Sequence, residues 1–201
     1  VLKKKLTVRM NNLRIRKRLP DYLTQNEVKS LLAAIINSKQ KMIVSLLYAT
    51  GMRVSELVSL KVKNFMFDKN CGKIVDGKGG KDRFFVLPFV LKDDILKWIR
   101  NNELMDDDYL FSGQLVGSHY TASSVRMILK DAARKARLGK KVHPHMLRHS
   151  FATHLIENGY AVSSVQPLLG HSRVETTMIY VHMANAHMFD VESPLDRMLP
   201  I

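Results

Sequence analysis

The chain has 201 residues, of which 32 are Lys or Arg and 18 are Asp or Glu, so its formal net charge is +14. A hydrophobic content of 46% and a single cysteine, Cys71, exclude a disordered chain and an internal disulfide, and no apolar run reaches the roughly 18 residues of a membrane helix. The positive charge favours a polyanionic partner, with nucleic acid ahead of an acidic membrane surface.

A basic arm opens the sequence. Its eight basic residues, with no acidic residue among them, are Lys3, Lys4, Lys5, Arg9, Arg14, Arg16, Lys17 and Arg18. Because the rest of the chain is also basic, we expect this arm to follow a phosphate backbone. The sequence begins with Val1 rather than methionine, so we expect it to be a fragment whose upstream part is missing.

Hydrophobic periodicity divides the rest of the chain into helices and three strands. Thr24 and Glu27 form a capping box at the first helix, and Ser163 with Gln166 suggests another. Period-two patterns separated by turn residues predict short antiparallel strands at 62–67, 73–75 and 83–87. Further helices are predicted at 42–49, 54–60, 92–100, 123–136, 144–157, 163–169, 176–181 and 184–189. The fold class is therefore mainly α with a small antiparallel three-stranded β-sheet.

The stretch LLGHSRVETTMIYVH, residues 168–182, places a histidine and a tyrosine nine residues apart. On one continuous helix, His171 and Tyr180 would lie about 180° apart, because each residue turns about 100°. Gly170 can end a helix in the left-handed conformation. We therefore predict a glycine stop, His171 at the corner, and a new helix that carries Tyr180.

Three further stretches place cations at turns and helix ends. Arg53 follows a glycine stop in ATGMRVSEL, and Lys78 lies at the tip of a predicted hairpin in GKGGKDR, which lacks P-loop spacing. In HPHMLRHSFATH, His145 and Arg148 flank a helix start, where anions bind favourably. Arg148 borders an apolar stripe of its helix, so we expect it to be partly buried and fixed in place.

Two arginines, a lysine, two histidines and a tyrosine are what a metal-free attack on a phosphodiester needs. The guanidinium group of arginine can donate hydrogen bonds to two phosphate oxygens at once, and its positive charge neutralises the negative charge that develops at the phosphate. Histidines can hold phosphate oxygens or accept a proton, and a lysine can protonate the departing oxygen. Surrounding cations would activate the tyrosine, which is otherwise a weak nucleophile.

Two metal-binding interpretations compete with this one. His145 and His149 lie four residues apart, as a zinc pair does, but His154 falls on the opposite side of the helix and no zinc motif accompanies them. The acidic run 106–108 suggests a two-metal nuclease, but three consecutive carboxylates cannot face one point, so a solvated loop is favoured. We predict no metal and no cofactor.

Taken in order, the four quoted stretches resemble the tyrosine recombinase family, the Xer-type and lambda-integrase-type enzymes, from about residue 19 to the end. The resemblance implies that Arg53 and Arg148 clamp the scissile phosphate. It also implies that Lys78 is the general acid for the leaving 5′ hydroxyl. Lys81 is the alternative acid, and we assign Lys81 and Arg83 to DNA contact.

The same resemblance assigns the remaining catalytic side chains. Tyr180 matches the nucleophile that forms a 3′-phosphotyrosyl bond. His145 matches the histidine that assists proton transfer from the tyrosine, and His171 matches the one that bonds the scissile phosphate. Residues 1–18 would then be the linker from the N-terminal DNA-binding domain that the family usually carries, and residues 19–201 the catalytic domain. For the tail at 183–201, exchange between protomers and packing on its own domain both stay open.

The function implied by the resemblance is site-specific DNA recombination, in which strands are cleaved and rejoined without metal or ATP. The expected partners are a double-stranded DNA recombination site, three further protomers in a homo-tetramer on DNA, and an accessory regulatory protein. A monomer or weak oligomer is expected in the absence of DNA, with no membrane association and a cytoplasmic location. The alternatives are a type IB topoisomerase and a non-catalytic DNA-binding regulator on the same fold.

Overall fold

The computed structural model of the chain describes residues 20–75, 82–113, 117–170 and 175–183. Its elements in chain order are α1 (Gln25–Ala33), α2 (Ser38–Thr50), α3 (Val54–Val58), β1 (Phe65–Met66), β2 (Cys71–Ile74), β3 (Arg83–Val86), α4 (Phe89–Asn101), α5 (Ala122–Lys135), α6 (Pro144–Glu157), α7 (Val162–Leu169) and α8 (Glu175–Met183). The strands form one antiparallel sheet in the order β1-β2-β3. The predicted fold class is confirmed.

Local chemistry sets several helix ends as the sequence predicts. At the start of α1, the backbone N–H of Thr24 donates to the Glu27 carboxylate at 2.7 Å, and the Thr24 hydroxyl accepts from the Glu27 N–H at 3.3 Å. Helices α2 and α7 both end on a glycine in the left-handed conformation, with φ of 60° at Gly51 and 61° at Gly170. These glycines turn the chain sharply at two points that matter for the site.

Some predicted boundaries are wrong. The first strand is two residues long rather than six, because the Asn64 side chain accepts a hydrogen bond from the Lys61 N–H at 2.7 Å and closes a 3₁₀ turn. The capping box predicted at Ser163 and Gln166 does not form, because α7 begins earlier and Ala161 occupies its N-cap. Helix α4 starts directly after Pro88, three residues before the prediction. The predicted helix at 184–189 lies outside the described residues.

Helix α6 packs against four other helices, namely α2, α5, α7 and α8. The larger core lies between α1, α2, α5 and the inner face of the sheet, where Leu47, Phe85 and Leu129 are at most 1% exposed. A second, smaller core joins α6, α7 and α8, and it includes the ring of Tyr180. Within the described residues, no helix combines the length and apolar character needed to cross a bilayer.

Candidate active site

The corner between α2 and α3 positions the first arginine. Arg53 is the N-cap of α3 and follows the turn at Gly51. The carbonyl oxygen of Gly51 accepts a hydrogen bond from Nη1 of Arg148 at 2.7 Å. A Cβ at Gly51 would lie 2.3 Å from the ring of Phe151 on α6, so only glycine lets this corner approach α6. The close approach brings Arg53 and Arg148 into one region.

Glu56 is a buried carboxylate that organises two arginines. Its oxygens accept from the backbone N–H and Nη1 of Arg53, each at 2.7 Å, and from Nη2 of Arg83 at 2.6 Å. Burial alone would raise the pKa of Glu56, but the Arg53 backbone hydrogen bond and the charge of Arg83 outweigh it and lower the pKa. Glu56 therefore stays ionised and holds Arg53 in a defined rotamer.

Arg148 is 4% exposed, as the sequence led us to expect, and is fixed by backbone carbonyls. Nη1 donates to Gly51 and Nη2 donates to the carbonyl oxygen of Leu169, near the end of α7. Burial and the nearby charges of Arg53 and Arg83 lower the pKa of Arg148 to about 10, so the guanidinium remains charged at neutral pH. A buried positive charge with other positive charges nearby favours the binding of an anion.

Arg83 is not on the surface, although the sequence interpretation assigned it to DNA contact. It is 8% exposed, paired with Glu56, and its Nη1 donates to the carbonyl oxygen of Leu168. Two successive carbonyl oxygens at the C-terminal end of α7 therefore accept hydrogen bonds from Arg83 and Arg148. The helix dipole favours cations at this end of a helix. In this arrangement Arg83 ties α7 to the sheet and to Glu56.

The start of α6 carries two of the histidines. His143 is the N-cap, and its Nδ1 accepts from the Met146 N–H at 3.2 Å. His145 lies one residue inside the helix, and burial followed by the charges of His143 and Arg148 lowers its pKa. His145 is therefore neutral at physiological pH in the free chain and can accept a proton or hydrogen bond.

Tyr180 projects from α8 into the smaller core and is 2% exposed. Burial raises the pKa of its hydroxyl, and the positive charges of Arg148 and Arg53 oppose that rise. The phenol therefore lies within electrostatic reach of both arginines. Its hydroxyl oxygen is 3.1 Å from Nδ1 of His149, the residue that follows Arg148 on α6.

The structure thus brings together four of the six predicted catalytic residues, namely Arg53, His145, Arg148 and Tyr180. The other two, Lys78 and His171, lie outside the described residues, as do Lys81 and the basic arm with Lys3, Lys4, Lys5, Arg14, Arg16, Lys17 and Arg18.

Sequence reasoning missed Glu56 and His149. Glu56 had a signal, since Glu three residues after an N-cap is a capping-box spacing, whereas the spacing of His149 suggested a zinc pair instead.

Neither metal interpretation gains support from the described ranges, where no group of three or more His, Cys, Asp or Glu side chains converges. The run 106–108 forms a turn in which Asp107 pairs with Lys61 and Lys63. Its carboxylates therefore serve a solvated loop, as the sequence favoured. His149 faces Tyr180 rather than sharing a ligand position with His145.

A groove of about 720 Å³ leads away from Arg53. It runs between α3, the 3₁₀ turn after α3, and the end of β2. Its polar lining consists of one carboxylate, three cations and three neutral side chains: Glu56, Arg53, Lys61, Lys63, Ser55, Ser59 and Asn64. The side chains of Lys61 and Lys63 are 32% and 52% exposed. The groove is thus a basic, solvent-accessible extension of the arginine site.

Comparison with known proteins gives the family. The model of the phage integrase family matches residues 21–187. The tyrosine recombinase XerA of Pyrococcus furiosus is 42% identical over 184 residues, which cover 90% of this chain and 63% of that protein. The chain spans less than two thirds of the length of the curated relatives it matches first.

Solved structures agree with this assignment. A crystal structure of XerA recombinase superposes with a TM-score of 0.76 at 33% identity, covering 86% of this chain and 64% of that one. A XerH site-specific recombinase in a post-cleavage complex with its palindromic difH substrate gives a TM-score of 0.74 at 28% identity, covering 87% and 54%. The fold around Arg53, Arg148 and Tyr180 is thus that of tyrosine recombinase catalytic domains.

Proposed function

Because the chain belongs to the phage integrase family and has a tyrosine recombinase catalytic domain, we propose that it cleaves and rejoins duplex DNA at a specific site through Tyr180. The observation that carries this proposal is that Arg53 and Arg148 lie within electrostatic reach of the Tyr180 phenol, with His145 close to both arginines. Two guanidinium groups with a neutral histidine match the needs of a phosphodiester that becomes five-coordinate. The structure of the XerH site-specific recombinase bound to its palindromic difH substrate supports a recombination site as the partner.

In the proposed reaction, the Tyr180 oxygen attacks the scissile phosphorus while the bond from phosphorus to the 5′ oxygen breaks. Arg53 and Arg148 neutralise the charge that develops on the non-bridging oxygens. His145 assists removal of the phenol proton. One phosphate ester replaces another, so the 3′-phosphotyrosyl bond retains the energy needed to rejoin the strand without ATP.

The family resemblance supplies the two roles that fall outside the described residues. Lys78 would protonate the departing 5′ oxygen from the tip of the hairpin, and His171 would hydrogen-bond the scissile phosphate. Support for His171 comes from Gly170, whose left-handed conformation ends α7 beside Arg83 and Arg148. Tyr180 is 2% exposed in the free chain, so the residues that cover its oxygen must move aside before the phosphate can reach it.

The basic groove supplies the contacts beyond the scissile phosphate. Lys61 and Lys63 would bind neighbouring backbone phosphates, which position a duplex without reading its sequence. Asp107, which pairs with both lysines in the free chain, would be displaced by the DNA. The basic arm would extend these contacts, four protomers would act on two duplexes, and the enzyme would be DNA-associated in the cytoplasm, as the family resemblance implies.

The test uses the 201-residue chain and a pool of nicked duplexes of randomised sequence, incubated in chelator. The nick lets the short cleaved fragment leave, so a covalent protein–DNA adduct accumulates and its DNA can be sequenced. We expect an adduct on a defined sequence that Tyr180→Phe abolishes and Tyr160→Phe, at an exposed tyrosine, leaves unchanged. On a supercoiled plasmid tested in parallel, relaxation without site preference would point to a topoisomerase. Free DNA ends that appear only when metal replaces the chelator would point to a nuclease, and DNA binding without an adduct would point to a regulator.

A further inference from the structure

His149 is a half-buried imidazole on α6 that the catalytic roles proposed above do not use. Its Nδ1 lies 3.1 Å from the hydroxyl oxygen of Tyr180. We propose that His149 is a positioning residue, which accepts the phenol hydrogen bond and thereby fixes the Tyr180 oxygen beside Arg148 for attack on the phosphate. This inference rests on the proposed role of Tyr180 as nucleophile.

The packing of the two rings makes the contact directional. Their centroids are 5.7 Å apart and their planes are tilted by 46°, so the imidazole edge meets the phenol oxygen instead of stacking on the ring. Helix α6 holds His149 firmly because it packs against α2, α5, α7 and α8. Tyr180 belongs to α8, the last element described, and the hydrogen bond therefore ties the nucleophile to a helix that packs against four others.

The protonation states favour the phenol as donor. Burial, followed by the positive charges of His145 and Arg148, lowers the pKa of His149 to about 4, so the imidazole is neutral at physiological pH. Burial raises the pKa of the Tyr180 hydroxyl, which therefore keeps its proton in the free chain. We assign the ring proton of His149 to Nε2, which leaves Nδ1 bare to accept from the phenol.

A second tyrosine–histidine pair on the same helix provides an internal comparison. The Tyr48 hydroxyl lies 2.9 Å from Nδ1 of His154, also on α6. Glu157 and Tyr22, rather than arginines, surround this pair. The Tyr48 pair links α2 to α6 and serves packing, whereas the Tyr180 pair lies beside the two arginines that would hold the phosphate.

The experiment replaces His149 by Asn, Gln and Ala in the full 201-residue chain. Asn places its Oδ1 close to where Nδ1 stood, whereas the Gln carbonyl reaches further and mimics Nε2. Four quantities are measured for each variant: the single-turnover rate of adduct formation on the captured nicked duplex at saturating DNA, the pH dependence of that rate, the DNA dissociation constant, and the melting temperature. Tyr48→Phe is the matched control, because it removes a hydroxyl bonded to a histidine of the same helix.

We expect His149→Ala to form adduct about tenfold more slowly or worse, which corresponds to the loss of roughly one hydrogen bond. DNA affinity should not change. His149→Asn should recover most of the rate and His149→Gln should not. Tyr48→Phe should lower the melting temperature and leave the rate at saturating DNA unchanged.

Other outcomes overturn the inference. A rate for His149→Ala equal to or above wild type would make the contact irrelevant or a restraint on the nucleophile. A His149→Asn variant as slow as Ala, with an altered pH–rate profile, would mean that His149 takes up the proton rather than positioning the phenol. If the wild-type chain forms no adduct, the proposed function fails and this inference fails with it, which differs from an adduct that His149→Ala leaves unaffected.

Discussion

Neutralising Glu56 should destabilise the chain and disorder the arginine site together. In Glu56→Gln the carboxylate that binds Arg53 and Arg83 becomes an amide. Arg83 is only 8% exposed, so it would remain as a buried charge without its anion. Removing one partner of a buried ion pair typically costs about 3–5 kcal/mol. For a domain of this size that lowers the melting temperature by roughly 6–20 °C.

The assay is thermal unfolding of Glu56→Gln, Arg83→Met and the double variant. Because the two side chains touch, their effects should couple, and the double variant should lose less free energy of unfolding than the sum of the single losses. Asp131→Asn is the control, since Asp131 forms an exposed ion pair with Arg134 and its loss should leave the melting temperature nearly unchanged. A loss below about 1 kcal/mol in Glu56→Gln, or additive effects, would refute the assigned role of this pair.

Three further predictions concern the phosphate clamp, the groove and pH. Arg148→Ala should slow adduct formation by about 100-fold or more while DNA affinity stays within about tenfold, as kinetics and anisotropy would measure; a matching collapse of affinity would contradict this. Replacing Lys61 and Lys63 by Gln should reduce the slope of log affinity against log salt by about two, without slowing cleavage at saturating DNA; an unchanged slope would remove the groove from the DNA path. The free energy of unfolding should fall as the pH drops from about 6.5 to about 4, because the pKa of His149 is lowered from 6.5 to about 4 in the folded chain. In that pH range the unfolded chain binds more protons than the folded chain. If His149→Asn shows the same pH dependence as the wild type, the titration of His149 does not cause it.

Interactions between residues within one or two helical turns were enough to predict where several helices begin and end. The capping box of Thr24 and Glu27 and the stops at Gly51 and Gly170 depend on neighbouring residues alone, so they could be predicted. The first strand could not, because the backbone N–H groups of Val62 and Lys63 donate to carbonyl oxygens at Asp108 and Asp106, which lie far away in the sequence. The start of α4 was missed because Phe89 and Val90 are 76% and 83% exposed and give no periodic signal.

In the candidate site, too, features set by neighbouring residues could be predicted and features set by long-range contacts could not. Arg53 and Arg148 follow from short motifs at helix ends, and the four stretches in order indicated the family that the comparisons confirm. The burial of Arg83 follows from its ion pair with Glu56, 27 positions away in the chain. The contact of His149 with Tyr180 joins residues 31 positions apart. Such pairs exist only once the helices and the sheet are packed, and no local pattern encodes them.

The most direct test of the proposed chemistry is to locate the DNA on the protein. The adduct formed in chelator is digested with trypsin and nuclease, and tandem mass spectrometry identifies the modified residue and the end of the DNA that it carries. We expect a nucleotide 3′-phosphate on the oxygen of Tyr180 and a free 5′ hydroxyl on the released strand. Attachment to another residue, a 5′-phosphate linkage, or an adduct that survives in Tyr180→Phe would contradict the role assigned to this tyrosine.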